Sequence, residues 1–128
     1  MDNHINVKFF LFSLIGILIF IIDTNLYKII NNFLDSSLIA RLLSYSIATW
    51  FAWVLNKKFT FKVKNSKFYS YYLGASIAGI QNILISFIML IYLGDGNFNI
   101  YLSIGMGCLY GLLFNFIYQS KLTFGKYK

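Results

Sequence analysis

Apolar residues fill the chain in four long runs, at about residues 9–30, 38–55, 68–93 and 98–118, and polar residues gather between them. A bilayer core about 30 Å thick is crossed by about 20 helical residues, so each run predicts one transmembrane helix. A spanning barrel strand alternates apolar and polar over about ten residues. These runs stay apolar on all sides for longer than that. The first is interrupted by Asp23, Asn25 and Lys28, and Arg41 stands near the start of the second. Asp35 or Ser36 is expected to cap the second helix, and Gly94-Asp95-Gly96-Asn97 reads as a turn. The first run follows Lys8 as a signal peptide would, but no small-x-small site follows it. It is expected to remain as a membrane helix.

Composition agrees. The chain has 128 residues, of which 59% are hydrophobic and 12% charged, and it has no proline. A soluble domain carries about 25% charged residues, and one small core cannot hide this much apolar surface. The expectation is an all-α membrane protein with a single domain. Its net charge of +7 lies in short segments between apolar runs. That fits membrane topology and anionic headgroups better than nucleic acid. Lys8, Lys57, Lys58, Lys62, Lys64, Lys67, Lys121, Lys126 and Lys128 fall on one side, against Lys28 and Arg41 on the other. The bias predicts that both termini and the middle loop are cytoplasmic. The lone Cys108 is expected to be a buried packing residue.

The chain also repeats itself. Asn56-Lys57-Lys58-Phe59-Thr60-Phe61 closes the second run, and Gln119-Ser120-Lys121-Leu122-Thr123-Phe124 closes the fourth. Aligning these boxes sets Ser44, Ala48 and Ala52 opposite Gly107, Gly111 and Asn115. Aligning Lys8-Phe9-Phe10 with Lys67-Phe68-Tyr69 sets Asp23 opposite Asn82. The reading is two tandem helical hairpins of the same orientation, a parallel repeat.

Small residues four apart form a stripe down a helix. The stripes Ser44, Ala48, Ala52, Asn56 and Gly107, Gly111, Asn115, Gln119 are expected to pack helix 2 on helix 4, or to form a homodimer contact, each ending on a polar amide at the cytoplasmic boundary. Asp23 is costly inside a membrane. It is expected either to lock the fold by pairing with Lys28, Arg41 or Asn82, or to form a polar patch for a sugar, phosphate or proton. Lys57, Lys58 and Lys121 either serve topology alone or, with Asn56, Thr60 and Gln119, bind phosphate. Trp50, Trp53, Tyr45 and Tyr118 either anchor the interface or line a groove. His4 stands alone, and the four acids are all aspartates. No metal-ligand cluster, Walker loop or triad is visible, so neither an enzyme nor a cofactor is expected.

The aromatic-rich opening Phe9-Phe10-Leu11-Phe12 with Gly16 and Asp23, and above all the box from Asn56 to Phe61, resemble the GtrA-like family of four-helix membrane proteins. The second box departs from the family pattern, with Gln119-Ser120 where an Asn-Arg pair is more usual. Asn115, one turn earlier, is a substitute amide. The resemblance implies translocation of a polyprenyl-phosphate lipid or its lipid-linked sugar in polysaccharide synthesis. Asn56 and the lysines would capture phosphate, and Asn82, Asp23 and Asn115 would form a polar seam. The alternative is a non-catalytic subunit that anchors a membrane glycosyltransferase. A small multidrug exporter fits less well, because the one intramembrane acid is off-centre and the basic box is left unexplained.

Overall fold

The computed structural model describes residues 2–94 and 96–125. Asp95, in the expected turn, and Lys126 and Lys128, in the expected cytoplasmic set, lie outside the described residues. The chain forms four long helices: α1 (Asp2–Asn31), α2 (Ser37–Leu55), α3 (Phe68–Leu93) and α4 (Asn97–Tyr118). All four are long and apolar enough to cross a membrane, and no strand occurs among the described residues. The protein is thus an all-α, multi-pass membrane protein. Helix α1 begins at Asp2, not near residue 9, because the polar opening contains no glycine or proline to stop it. A hydropathy boundary is not a helix boundary. At α2, Ser36 is the cap: its hydroxyl accepts the Ile39 amide at 3.4 Å.

The ends of α2 and α4 hold the main departure from regular geometry. Each helix widens into a π-helical turn, at Asn56–Thr60 and at Gln119–Thr123. In each, the carbonyl of the first residue accepts an amide five residues on: Phe61 donates to Asn56 and Phe124 to Gln119, both at 2.9 Å. Single wide turns of this kind concentrate at functional sites. The two boxes therefore share one local backbone fold despite their different sequences.

Helices α1 and α2 pack as a hairpin, as do α3 and α4, and α2 lies against α3. Among the described residues α2 and α4 do not approach each other, which corrects the expected helix 2–helix 4 contact. The glycine stripe of α4 meets α3 instead. A methyl group added at Gly107 would overlap the Ser86 hydroxyl and both oxygens of Asn82, and one at Gly111 would press on the Ala78 carbonyl. The physical reason is connectivity: a short turn makes α3 and α4 adjacent, so the small residues serve the nearest helix. On α2, Ala48 and Ala52 are buried, and Ala52 joins Phe12, Phe61, Tyr71, Phe116 and Phe124 in an aromatic core.

That core lies at the end of the bundle that carries the two boxes. Phe61 stacks on Phe124 at 4.4 Å and 16°. Phe12 and Phe9 meet Phe116 edge-on at 5.5 Å and 5.2 Å. In lipid, helices associate through packing and hydrogen bonds, because tails are as apolar as the side chains. Large apolar side chains such as Phe10, Phe20, Ile83 and Phe87 are accordingly left facing outward.

Gly107→Leu should push α3 and α4 apart. The expected cost is about 1–3 kcal/mol, typical of overpacking, read as a lower unfolding midpoint of the detergent-solubilised protein. Leu substituted at Gly105, which has open space around it, should leave the midpoint within about 0.5 kcal/mol of wild type.

Candidate functional site

Asn56 is 2% exposed and Gln119 is 0% exposed. A buried amide needs partners, because each unmet polar group costs about 1–3 kcal/mol. Tyr71 of α3 supplies one to each box. Asn56 Nδ2 donates to the Tyr71 hydroxyl at 2.9 Å and to the Ala52 carbonyl at 3.0 Å. Gln119 Nε2 donates to the Tyr71 carbonyl at 3.0 Å and to Asn115 Oδ1 at 2.9 Å. Thr60 Oγ1 donates to Asn56 Oδ1 at 2.8 Å, and Thr123 shares a hydrogen bond with Ser70 at 3.0 Å. Asn56 and Gln119 continue the buried faces of α2 and α4, and Thr60 and Thr123 in the wide turns are buried after them.

This corrects the expected phosphate set. Asn56, Thr60 and Gln119 are buried and their donors are committed inside the fold, so they cannot meet a headgroup at the surface. Lys58 and Lys121 are exposed, and Lys57 is partly so. Lys57 Nζ lies 5.0 Å from the Trp53 ring. That indole donates to Ser66 at 2.8 Å, tying the basic loop to α2. The stacking of Phe61 on Phe124 brings the two boxes, and so their lysines, to one end of the bundle.

Between the helices lies a cavity of about 360 Å³. Asn56, Tyr71 and Asn115 line its box end; Ile19, Tyr45, Asn82 and Cys108 line its far end. Its wall is mainly apolar, with Phe12, Ile15, Ile19 and Leu112 beside alanines and glycines; a few amides and hydroxyls interrupt it and, among the described residues, it holds no charged side chain. The Tyr45 hydroxyl and the Asn115 amide donors have no protein partner among the described residues. Asn82 Nδ2 approaches Cys108 Sγ at 3.6 Å and its Oδ1 accepts from Ser86 at 3.4 Å. Cys108 is exposed and belongs to the wall, contrary to the expectation of a buried packing residue. The few open neutral donors and acceptors, on Tyr45, Asn82 and Asn115, suit single hydroxyls of a polyol within an otherwise apolar wall, and the lysines outside it suit an anion.

A family model described as the GtrA/DPMS transmembrane domain matches residues 11–124. The chain belongs to that family. No curated protein matches it. Membership places this GtrA/DPMS-family protein among membrane proteins of glycosylation and polysaccharide synthesis.

Of the expected seam, Asn82 and Asn115 share the cavity wall but Asp23 does not. The register that set Asp23 opposite Asn82 does not bring them together. Asp23 pairs instead with Arg41, Nη1 to Oδ2 at 2.7 Å. Sequence reasoning passed over Tyr71 and Thr49. A tyrosine one turn inside an apolar run looks like an interface anchor; that it joins two boxes distant in sequence is visible in three dimensions.

Tyr71→Phe keeps the ring and removes the hydroxyl that accepts from Asn56. It should cost about 1–3 kcal/mol of stability, measured by denaturant unfolding in detergent. Lys58→Ala, on the exposed side of the same turn, should stay within about 0.5 kcal/mol of wild type.

Proposed function

We propose that the protein moves a polyprenyl phosphate, or a polyprenyl-phosphate-linked sugar, across a bacterial cytoplasmic membrane for cell-surface polysaccharide or cell-wall glycosylation. The observation that carries this reading is an uncharged cavity, mainly apolar with a few amides and hydroxyls in its wall, inside a membrane bundle of the GtrA/DPMS family, with lysines outside one end. The lysine bias puts that end, both termini and the middle loop in the cytoplasm. The matched wide turns support the reading of the chain as two parallel hairpin repeats.

Lys57, Lys58 and Lys121 hold the phosphate at the headgroup level as mobile point charges. The sugar hydroxyls exchange water for Asn115, Tyr45 and Asn82, so the polar head crosses without entering hydrocarbon. The prenyl tail stays in lipid. Tyr71, Asn56 and Gln119 act by holding the wall in shape and do not bind the cargo at the surface.

The test is a reconstituted-vesicle assay of the accessibility of a lipid-linked sugar to a membrane-impermeant oxidant. Wild type should speed exposure. Lys57→Ala with Lys58→Ala should slow it at least about tenfold, as expected when two charge-assisted contacts are lost. Asn115→Leu, which narrows the cavity, should slow it with the lysines intact. No acceleration by the wild-type protein, together with its co-purification with a membrane glycosyltransferase, would replace transport by the anchoring role.

A further inference from the structure

Ile19 of α1 and Tyr45 of α2 form part of the far end of the cavity. One helical turn beyond them, four residues on in α1 and four residues back in α2, stand Asp23 and Arg41. The pair therefore lies just past the cavity, toward the connection at residues 32–36 and away from the lysines. Its geometry is incomplete for a simple lock. A carboxylate and a guanidinium satisfy each other best through two parallel bonds. Here a single bond is made, Arg41 Nη1 to Asp23 Oδ2. Asp23 Oδ1 is buried without a hydrogen-bond partner. Arg41 keeps its other N–H donors without a protein acceptor among the described residues, and its side chain is 53% exposed against 11% for Asp23.

A half-exposed guanidinium with an open fork, just past an uncharged cavity, is built to receive an oxyanion. From this we infer that Arg41 is the far-side phosphate station: the phosphate ester of the prenyl lipid displaces Asp23 from Arg41 as the head leaves the cavity. This rests on the transport reading above. Lysines serve the near side because they release phosphate readily as point charges, and the planar arginine fork serves the far side. Asp23 has two consequences there. It neutralises Arg41 in the membrane while the station is empty, and it competes with the phosphate, so the lipid is released and not trapped.

The competition gives opposite signs for the two partners. In the full chain carrying Lys57→Ala, Lys58→Ala and Lys121→Ala, which removes the three lysines assigned to the near-side phosphate, binding of radiolabelled farnesyl phosphate is measured in detergent. Asp23→Asn should tighten binding about threefold or more, because its competitor for the fork is weakened. Arg41→Gln should weaken it at least about tenfold, and Arg41→Lys should fall between. The double variant Asp23→Asn with Arg41→Gln leaves no unpaired charge in the membrane and so keeps the test intact if a single variant fails to fold; it should bind as weakly as Arg41→Gln. Inorganic phosphate should compete poorly, since it lacks the prenyl tail. Equal displacement by phosphatidylglycerol would overturn the assignment to the carried lipid. Farnesyl phosphate affinity unchanged by Asp23→Asn, by Arg41→Gln and by the double variant would overturn the station itself, leaving the pair as a fold lock. The transport reading fails separately: wild-type vesicles without accelerated sugar exposure sink it even if far-side binding follows the stated order.

Discussion

The need to satisfy buried amides at the box end of the bundle is the constraint on which the rest depends. Water is scarce there, and an unpaired amide has little else to bind. Tyr71 meets the need from both ends of its own residue: the hydroxyl accepts from Asn56 and the backbone carbonyl from Gln119. Its ring meets Phe124 edge-on at 5.9 Å. One residue of α3 thus ties the box ends of α2 and α4, which also meet through the stack of Phe61 on Phe124. The tie fixes both wide turns, and the turns place Phe61 against Phe124 beneath the cavity.

The cavity follows from the same arrangement. Glycines on α4 let that helix sit against α3, and the two hairpins meet along lighter contacts between α2 and α3 and between α1 and α4. The space left between the hairpins is where Asn82, Asn115 and Tyr45 face each other's helices across an open wall. The two ends of that space differ in chemistry. Flexible lysines stand outside one, and an arginine restrained by an aspartate stands beyond the other, on the side that also carries Lys28. Such a gradient of anchoring groups is consistent with passage of one charged, tailed molecule, with the neutral wall serving its uncharged head.

Hydrophobic runs of bilayer length determined the number and approximate bounds of the helices, because a backbone in lipid must bond internally. They also made the membrane class plain, and the box at Asn56 carried the family. The site was only partly legible. Asn82 and Asn115 carried a signal, as amides on small-residue faces, and both reached the wall. Asp23 was rightly suspected of pairing with Arg41. Asn56, Thr60 and Gln119 were misassigned to a headgroup because the sequence places them beside lysines. Their place at the foot of the buried small-residue faces of α2 and α4 sets them inside.

The pattern of apolar runs, the lysine asymmetry and the repeated box are properties of local composition, so the chain alone determined them. Which helices pack together was decided by tertiary structure, since small-residue stripes fit more than one neighbour and the short α3–α4 connection selected among them. Tyr71 belongs to the same class. Its value lies in two bonds to residues 15 and 48 positions away, and no local pattern encodes a hydrogen bond between distant segments. The cavity is likewise a space between four helices. It has no sequence signature of its own until those helices are placed.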